Sequence, residues 1–155
     1  MKPTSDVVDE RGDGAAVCML ALHQFGCRRA FSGEVSTVRC REDNALVKAR
    51  LSEPGGGRVL VVDGGGSLRV ALVGEKVAGL ALASGWSGLI INGCVRDVTA
   101  LRGLDLGIKA IGPCPRASGK AGAGEVDVPV TFGGVTFTPG AMVWSDDDGV
   151  VVVAE

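Results

Sequence analysis

The chain has 155 residues, which one domain of ordinary size accounts for, and we expect a single domain over residues 1–155. Its 16 basic and 18 acidic side chains leave a net charge of −2, which excludes a chain-wide attraction to nucleic acid or to an anionic membrane. The five cysteines form no CxxC pair and no apolar run reaches the length of a membrane span, so we expect reduced thiols and a cytoplasmic protein.

The first third of the chain predicts a helix, a strand and a second helix. Thr4 precedes a short capped-helix pattern over residues 5–10, which Gly12 interrupts. Polar and apolar residues alternate over residues 31–41, which predicts a strand. Residues 42–44, Glu-Asp-Asn, then open an apolar pattern with helical spacing.

The centre of the chain predicts a βαβ unit. Residues 59–62 and 89–91 are short apolar runs typical of buried parallel strands, and the apolar spacing between them predicts a helix that begins near Gly74, with Leu72 and Val73 on its apolar face. Ligands of open α/β sheets bind outside the carboxyl ends of such strands. Those ends carry the following residues: Asp63, the glycines 64–66, Asn92, Arg96 and Asp97.

The second half of the chain predicts mostly short strands. Five candidate strands, separated by turns that contain glycine, proline or aspartate, cover residues 107–111, 126–132, 135–138, 142–144 and 150–153. A βαβ front and a β-rich back favour an α/β fold arranged as a layered β/β/α sandwich over a doubly wound sheet.

The glycine run 64–66 allows two interpretations. It lacks the Gly-Lys-Ser/Thr ending of a P-loop, the third glycine of a dinucleotide loop and the alternating glycines of a methyl-donor loop. A tight strand-to-helix turn and a backbone cradle for a small anion both remain open.

Two further stretches have both a structural and a functional interpretation. Residues 74–77 are either an ordinary helix start or a carboxylate-binding helix N-terminus. Arg96 and Asp97 are either a solvated turn pair or an anion clamp beside an oxygen ligand for Mg²⁺ or Mn²⁺.

Two other features favour plain structural roles, and a third has both a structural and a functional interpretation. His23, the only histidine, lies outside any motif, and the acids 146–148 before Gly149 predict a hairpin turn in preference to a calcium loop. The glycine-rich stretch 117–125, which includes Lys120 and Glu125, is either a simple loop or a segment that closes over a site.

The motifs of residues 61–69, 71–75 and 85–97 together are highly specific. With residues 104–110, 133–140 and 146–149, they closely resemble the family that holds the regulator of ribonuclease E activity A and the class II 4-hydroxy-4-methyl-2-oxoglutarate/4-carboxy-4-hydroxy-2-oxoadipate aldolases. The resemblance covers nearly the whole chain.

The resemblance implies a swivelling β/β/α domain, a ring-shaped homotrimer and a set of site residues. Asp97 matches the ligand of a divalent metal, Mg²⁺ or Mn²⁺, and Arg96 matches the residue that binds the keto acid. Residues 74–77 (Gly74, Glu75, Lys76 and Val77) match the substrate-contacting helix start. Glu75 stands where catalytic members carry a further acid, usually Asp, whereas Ala100 occupies the alternative place for that acid.

Two functions from different classes follow from this resemblance. The first is a metal-dependent lyase that cleaves or decarboxylates short 2-oxo acids at Arg96, Asp97 and Glu75, and the retained acids favour it. The second is a non-catalytic regulator that binds ribonuclease E or its degradosome partners.

Overall fold

The computed structural model describes residues 1–154, and its helices are few and short. They are α1 (Thr4–Arg11), α2 (Ala45–Leu51), α3 (Glu75–Ala83) and α4 (Val98–Leu101), and a 3₁₀ turn (Gly12–Gly14) follows α1. None of the helices in the described part of the chain has the length and apolar character needed to cross a bilayer.

The strands make up most of the regular structure. In chain order they are β1 (Ala15–Val17), β2 (His23–Gln24), β3 (Phe31–Arg39), β4 (Val59–Asp63), β5 (Ala71–Val73), β6 (Gly88–Val95), β7 (Gly107–Pro113), β8 (Glu125–Val126), β9 (Val130–Phe132), β10 (Val135–Phe137), β11 (Met142–Asp146) and β12 (Gly149–Val153).

The long strand β3 divides the main sheet into two halves. Its first residues pair antiparallel with β11, which continues through β12 to β1, and its last residues pair parallel with β4, followed by β6 and β7. The antiparallel half packs on the parallel half, and α2 and α3 cover the other face of the parallel half. This is the β/β/α sandwich that the sequence predicts.

Strand β4 shows why the central strands are apolar on both faces. Leu60 and Val62 belong to the core under the helices, whereas Val59 and Val61 belong to the core between the two halves of the sheet. All four side chains are fully buried. A strand buried on both sides needs a continuous apolar run, which is the pattern the sequence has here.

Several predicted elements need correction. Leu72 and Val73 form part of β5, which pairs parallel with the end of β6, so the helix begins only at Glu75. The predicted strand 126–132 is interrupted after Val126, where Asp127 adopts a positive φ of 57°. Thr4 is the first residue of α1 instead of its cap, and its hydroxyl donates to Asp146.

Packing between the two halves of the sheet relies on the absence of a side chain at Gly107. The ring of Phe31 lies over this position, and a Cβ added there would overlap the ring. We expect Gly107→Ala to lower the free energy of unfolding by about 1–3 kcal/mol through overpacking, as measured by urea unfolding. Gly112→Ala in the same strand is the control, because a Cβ at that position meets nothing within 4 Å. Equal unfolding free energies for the two variants would contradict this account.

Candidate functional site

The parallel pairing of β5 with β6 brings the two candidate motifs together. Val73 pairs with Val95, and the N–H of Arg96 donates to the carbonyl of Val73 over 2.9 Å. Val73 and Val95 are the last residues of β5 and β6, so Gly74 lies beside Arg96 and Asp97. The helix start and the Arg-Asp pair therefore occupy one corner at the carboxyl edge of the sheet.

Asp97 links this corner through its side chain. Its Oδ2 accepts the backbone N–H of Glu75 over 3.0 Å, and so caps the start of α3 from another element. Asp97 itself adopts the left-handed conformation, with φ 58° and ψ 42°. Gly74 has no room for a side chain, because an added Cβ would lie 2.7 Å from Oδ2 of Asp97.

A pocket of about 360 Å³ opens at this corner. Its lining comes from four separate stretches of the chain: Asn44, Lys48, Ala71, Gly74, Glu75, Lys76, Val77, Arg96, Asp97, Ala117, Ser118 and Lys120. Four cationic side chains and two carboxylates are among them. The pocket lining is therefore net positive, in contrast to the chain as a whole.

The wall opposite α3 is a loop that Asp43 holds in place. The buried carboxylate of Asp43 accepts the N–H groups of Ala45, Ala121 and Gly122, at distances of 2.6 to 3.2 Å. These hydrogen bonds, that of Ala45 first, outweigh the effect of burial and keep the pKa of Asp43 below its usual 3.8. The glycine-rich stretch is thus a loop fixed by an ionised carboxylate.

The structure brings six predicted residues into one pocket and leaves others outside it. Residues 74–77, Arg96 and Asp97 all line the pocket. Asp63 and Asn92, which the sequence places at the same sheet edge, bind each other over 3.1 Å and do not line it. Glu125 pairs with Arg39 elsewhere.

The glycine run 64–66 is a turn between the strands β4 and β5, so the strand-to-helix turn and the anion cradle are both wrong, although the helix predicted near Gly74 is present as α3. Its amides already have acceptors: Gly64 and Gly66 donate to the carbonyl of Asn92, and Gly65 donates to the carboxylate of Asp63. A cradle needs free N–H groups, which these are not.

Two polar pocket residues, Asn44 and Lys48, escape the sequence analysis, whereas Ser118 and Lys120 lie in the glycine-rich stretch 117–125. Asn44 belongs to the Glu-Asp-Asn signal that predicts the start of α2. That signal predicts the helix correctly, but the buried side chain of Asn44 turns toward the pocket loop and accepts a hydrogen bond from Lys120.

Comparison with known proteins identifies the family of the chain. Residues 4–152 match the family described as RraA-like, Aldolase/RraA. The chain belongs to this family.

Three solved structures illustrate the relationship. A structure from Geobacillus kaustophilus, named as an S-adenosylmethionine:2-dimethylmenaquinone methyltransferase, is 46% identical over 98% of this chain and 94% of its own, with a TM-score of 0.96. The RNA-processing inhibitor RraA from Thermus thermophilus is 42% identical over 100% and 94%, with a TM-score of 0.97. RraAS2 from Streptomyces coelicolor, named as an unusual member of the RNase ES inhibitor RraA family, is 25% identical over 96% and 77%, with a TM-score of 0.75.

The donor atoms of the pocket fit a hard divalent cation that keeps much of its water. Within residues 1–154, no group of three or more His, Cys, Asp and Glu side chains is arranged to hold a metal. The pocket offers the carboxylates of Asp97 and Glu75, and Oδ1 of Asp97 has no hydrogen-bond partner in the described residues. Mg²⁺ commonly binds through one or two carboxylates plus water, so two acids suffice.

The loop wall generates a pH prediction. A carboxylate whose pKa is lowered by folding stabilises the fold above its unfolded pKa, and that stability is lost as the pH falls through the folded pKa. We therefore expect Asp43→Asn to be less stable than the wild type at pH 7, with a smaller difference at pH 3, when urea unfolding is measured at both values. An equal deficit at the two pH values would show that the charge of Asp43 does not hold the loop.

Proposed function

We propose that this protein is a divalent-metal-dependent C–C lyase acting on short 2-oxo acids. The reactions are retro-aldol cleavage of 4-hydroxy-4-methyl-2-oxoglutarate to pyruvate and decarboxylation of oxaloacetate. The observation that carries the proposal is the single pocket lined by Arg96, Asp97, Glu75 and the start of α3. Both reactions break the bond next to the same position of a 2-oxo acid and leave the enolate of pyruvate, so one site suffices for both.

The proposed substrate contacts follow from the donors in the pocket. Arg96 presents a planar fork of N–H groups, which matches a carboxylate. The first N–H groups of a helix have no partner within the helix, and Asp97 takes only that of Glu75. The N–H groups of Lys76 and Val77 thus remain for the substrate, and the positive end of α3 favours its negative charge.

Asp97 is proposed as the direct ligand of Mg²⁺ or Mn²⁺, with Glu75 as the second acid, acting through water. When bound there, the cation supplies electrophilic stabilisation of the charge that develops on the 2-oxo oxygen, a contribution of several kcal/mol. Asp97 serves this role with its orientation already fixed, since its other oxygen is bonded to the N–H of Glu75.

The charge of the pocket supports an anionic substrate. Lys48, Lys76, Arg96 and Lys120 face only two carboxylates in the lining, although the whole chain carries a net charge of −2. A locally positive pocket on an acidic protein concentrates small anions at that position without attracting nucleic acid along the whole surface.

The second candidate function is regulation of ribonuclease E. Its support is the 42% identity to the Thermus thermophilus protein, which is named as an RNA-processing inhibitor. In that case the protein surface, and not the pocket, would carry the activity, and ribonuclease E or a degradosome partner would be the ligand.

We further propose a homotrimer that works in the cytoplasm. The trimer follows from the family resemblance. Exposed apolar side chains such as Met19 and Leu68 could be buried in contacts between subunits. The five cysteines are all free, which suits a reducing compartment.

The decisive experiment measures oxaloacetate decarboxylation by protein stripped with EDTA and then supplied with Mg²⁺ or Mn²⁺. We expect activity to return with the cation in the wild type and to remain absent in Asp97→Asn. The amide keeps an oxygen that accepts the N–H of Glu75 but loses the charge that holds a hard cation. Circular dichroism of the variant should match that of the wild type.

The charge-matched control is Asp6→Asn, because Asp6 is an exposed carboxylate on α1. Cation-dependent activity in Asp97→Asn would remove Asp97 from the site. No activity of the wild type with either cation, on either proposed substrate, would overturn the lyase and leave the regulator.

A second test changes the pocket without removing any functional group. We expect Gly74→Ala to lower kcat/KM about 10²-fold, because the new Cβ displaces the Asp97 carboxylate and crowds Arg96, whose Cγ would lie 3.2 Å away. The control is Gly79→Ala in α3, where an added Cβ meets nothing within 4 Å and alanine favours the helix. Equal kinetics in the two variants would contradict the close packing of Gly74 against Asp97.

A further inference from the structure

Lys109 in β7 is a lysine whose side chain lies almost entirely inside the protein, with 4% of it exposed. It pairs with Ile90, which belongs to the core between the two halves of the sheet, so the side chain of Lys109 enters that core as well. Its Nζ donates to the backbone carbonyl of Asp146. An ammonium has three donors, and within residues 1–154 this is the one hydrogen bond that Nζ makes.

Two other polar side chains in the same layer lack partners. Gln24 pairs with Lys109 across β2 and β7, and Ser145 pairs with Phe31 and Val150, which both belong to the core between the halves. Oε1 of Gln24 and Oγ of Ser145 are buried, and neither has a hydrogen-bond partner in the described part of the chain. Buried polar atoms in proteins usually have partners, so this layer has polar groups that the fold itself does not explain.

A second cavity, of about 210 Å³, opens to solvent beside Lys109. It shares no lining residue with the pocket at Arg96 and Asp97. The apolar residues 20–22 and Val150 form one part of its wall, and the acids 147 and 148 form another. Among the described residues that line this cavity, Lys109 is the one base.

The surroundings of Lys109 favour its neutral amine. Burial, the largest effect, lowers the pKa of Lys109 below its usual 10.5, although the carboxylates of Asp146 and Asp147 oppose the change. The positive charge of Arg29 lowers this pKa further. The neutral amine is the nucleophilic form of a lysine. Cys18 lines the same cavity but is the weaker nucleophile, because burial raises the pKa of its thiol above 9.0.

We propose that Lys109 is a nucleophilic amine that condenses with small uncharged aldehydes in this second cavity to form an imine. The nitrogen attacks the carbonyl carbon, and a C–N bond forms. The carbonyl oxygen then leaves as water with both N–H protons of the amine, which gives the C=N bond. Asp147 and Asp148 line the cavity and can carry these protons from the nitrogen to the departing oxygen. No atom changes its oxidation state overall, so the step needs no co-reactant.

The charges of the cavity select against anionic carbonyl compounds. The ammonium of Lys109 becomes a neutral amine in the reacting form, so no cation in the lining then binds a carboxylate. Arg29 pairs with Asp147, but within residues 1–154 no basic side chain pairs with Asp148, which therefore repels an anion. The apolar wall favours a hydrocarbon chain, and a neutral imine removes a buried charge.

The test traps the imine with sodium cyanoborohydride, which reduces it to a stable secondary amine. The native protein is incubated with butanal at pH 7, and the labelled lysines are located by peptide mass spectrometry. We expect Lys109 to carry more label than each of the more exposed lysines, Lys2, Lys48, Lys76 and Lys120. This preference should disappear in protein unfolded in urea, where the lysines differ only in their neighbours along the chain.

A charged aldehyde tests the selectivity of the cavity. 4-Oxobutanoate has the same chain length as butanal and carries a carboxylate in place of the methyl group. We expect butanal to label Lys109 in preference to 4-oxobutanoate and Asp148→Asn to reduce that preference. Asp6→Asn, which removes an exposed carboxylate on α1, is the control and should leave the preference unchanged.

Lys109→Arg keeps the positive charge but forms no imine, so the label on the intact protein should fall further than in Lys2→Arg. Three outcomes would overturn the inference: Lys109 labelled less than the exposed lysines of the native wild type, the same labelling pattern in native and unfolded protein, or a preference of Lys109 for 4-oxobutanoate. The first two are measured on the wild type, so a variant that fails to fold does not affect them. None depends on the cleavage of 2-oxo acids, so this inference and the proposed function fail independently.

Discussion

The hydrogen bond from the N–H of Glu75 to Oδ2 of Asp97 is the interaction on which the candidate site depends. It closes the gap between a helix start and a strand end, and it fixes the carboxylate that we propose as the metal ligand. Two costs accompany it. Asp97 adopts a left-handed conformation, which costs about 1–2 kcal/mol for a residue with a side chain, and position 74 must be glycine. A strained backbone conformation persists only where the surrounding structure enforces it. Here the pairing of Val73 with Val95 holds the backbone that leads into Asp97.

The burial of the parallel strands on both faces is what makes such a fixed corner possible. Val61 and Ile90 point into the core between the two halves of the sheet, whereas Val62 and Ile91 point toward the helices. A slip of one residue in either strand would exchange its two faces but leave both apolar, so the apolar pattern alone does not set the register. Close contacts at particular glycines help to set it, as at Gly107, where only a position without a side chain accepts the ring of Phe31.

Much of the fold and of the site could be predicted from the sequence, because long apolar runs and turn residues act locally. The strands that lead into Asp63 and Arg96 are such cases. The place of Leu72 and Val73 is not such a case, because their apolar spacing suits a helix and a buried strand equally, and pairing with β6 decides between them. The hydrogen bond between Asn44 and Lys120 could not be predicted either. A helix-opening motif has the same sequence whether or not its side chain reaches a loop more than 70 residues away.

The two walls of the pocket are held in place in different ways. The acids and Arg96 lie on strand ends and a helix start whose positions the core dictates, so changes there disturb the packing of Gly74 and the cap of α3. Lys120 lies on a loop whose backbone is held by side chains outside the core layers, chiefly the carboxylate of Asp43. The loop can therefore change its sequence, and with it the ligand that the pocket accepts, while the wall that carries the proposed metal ligand keeps its geometry.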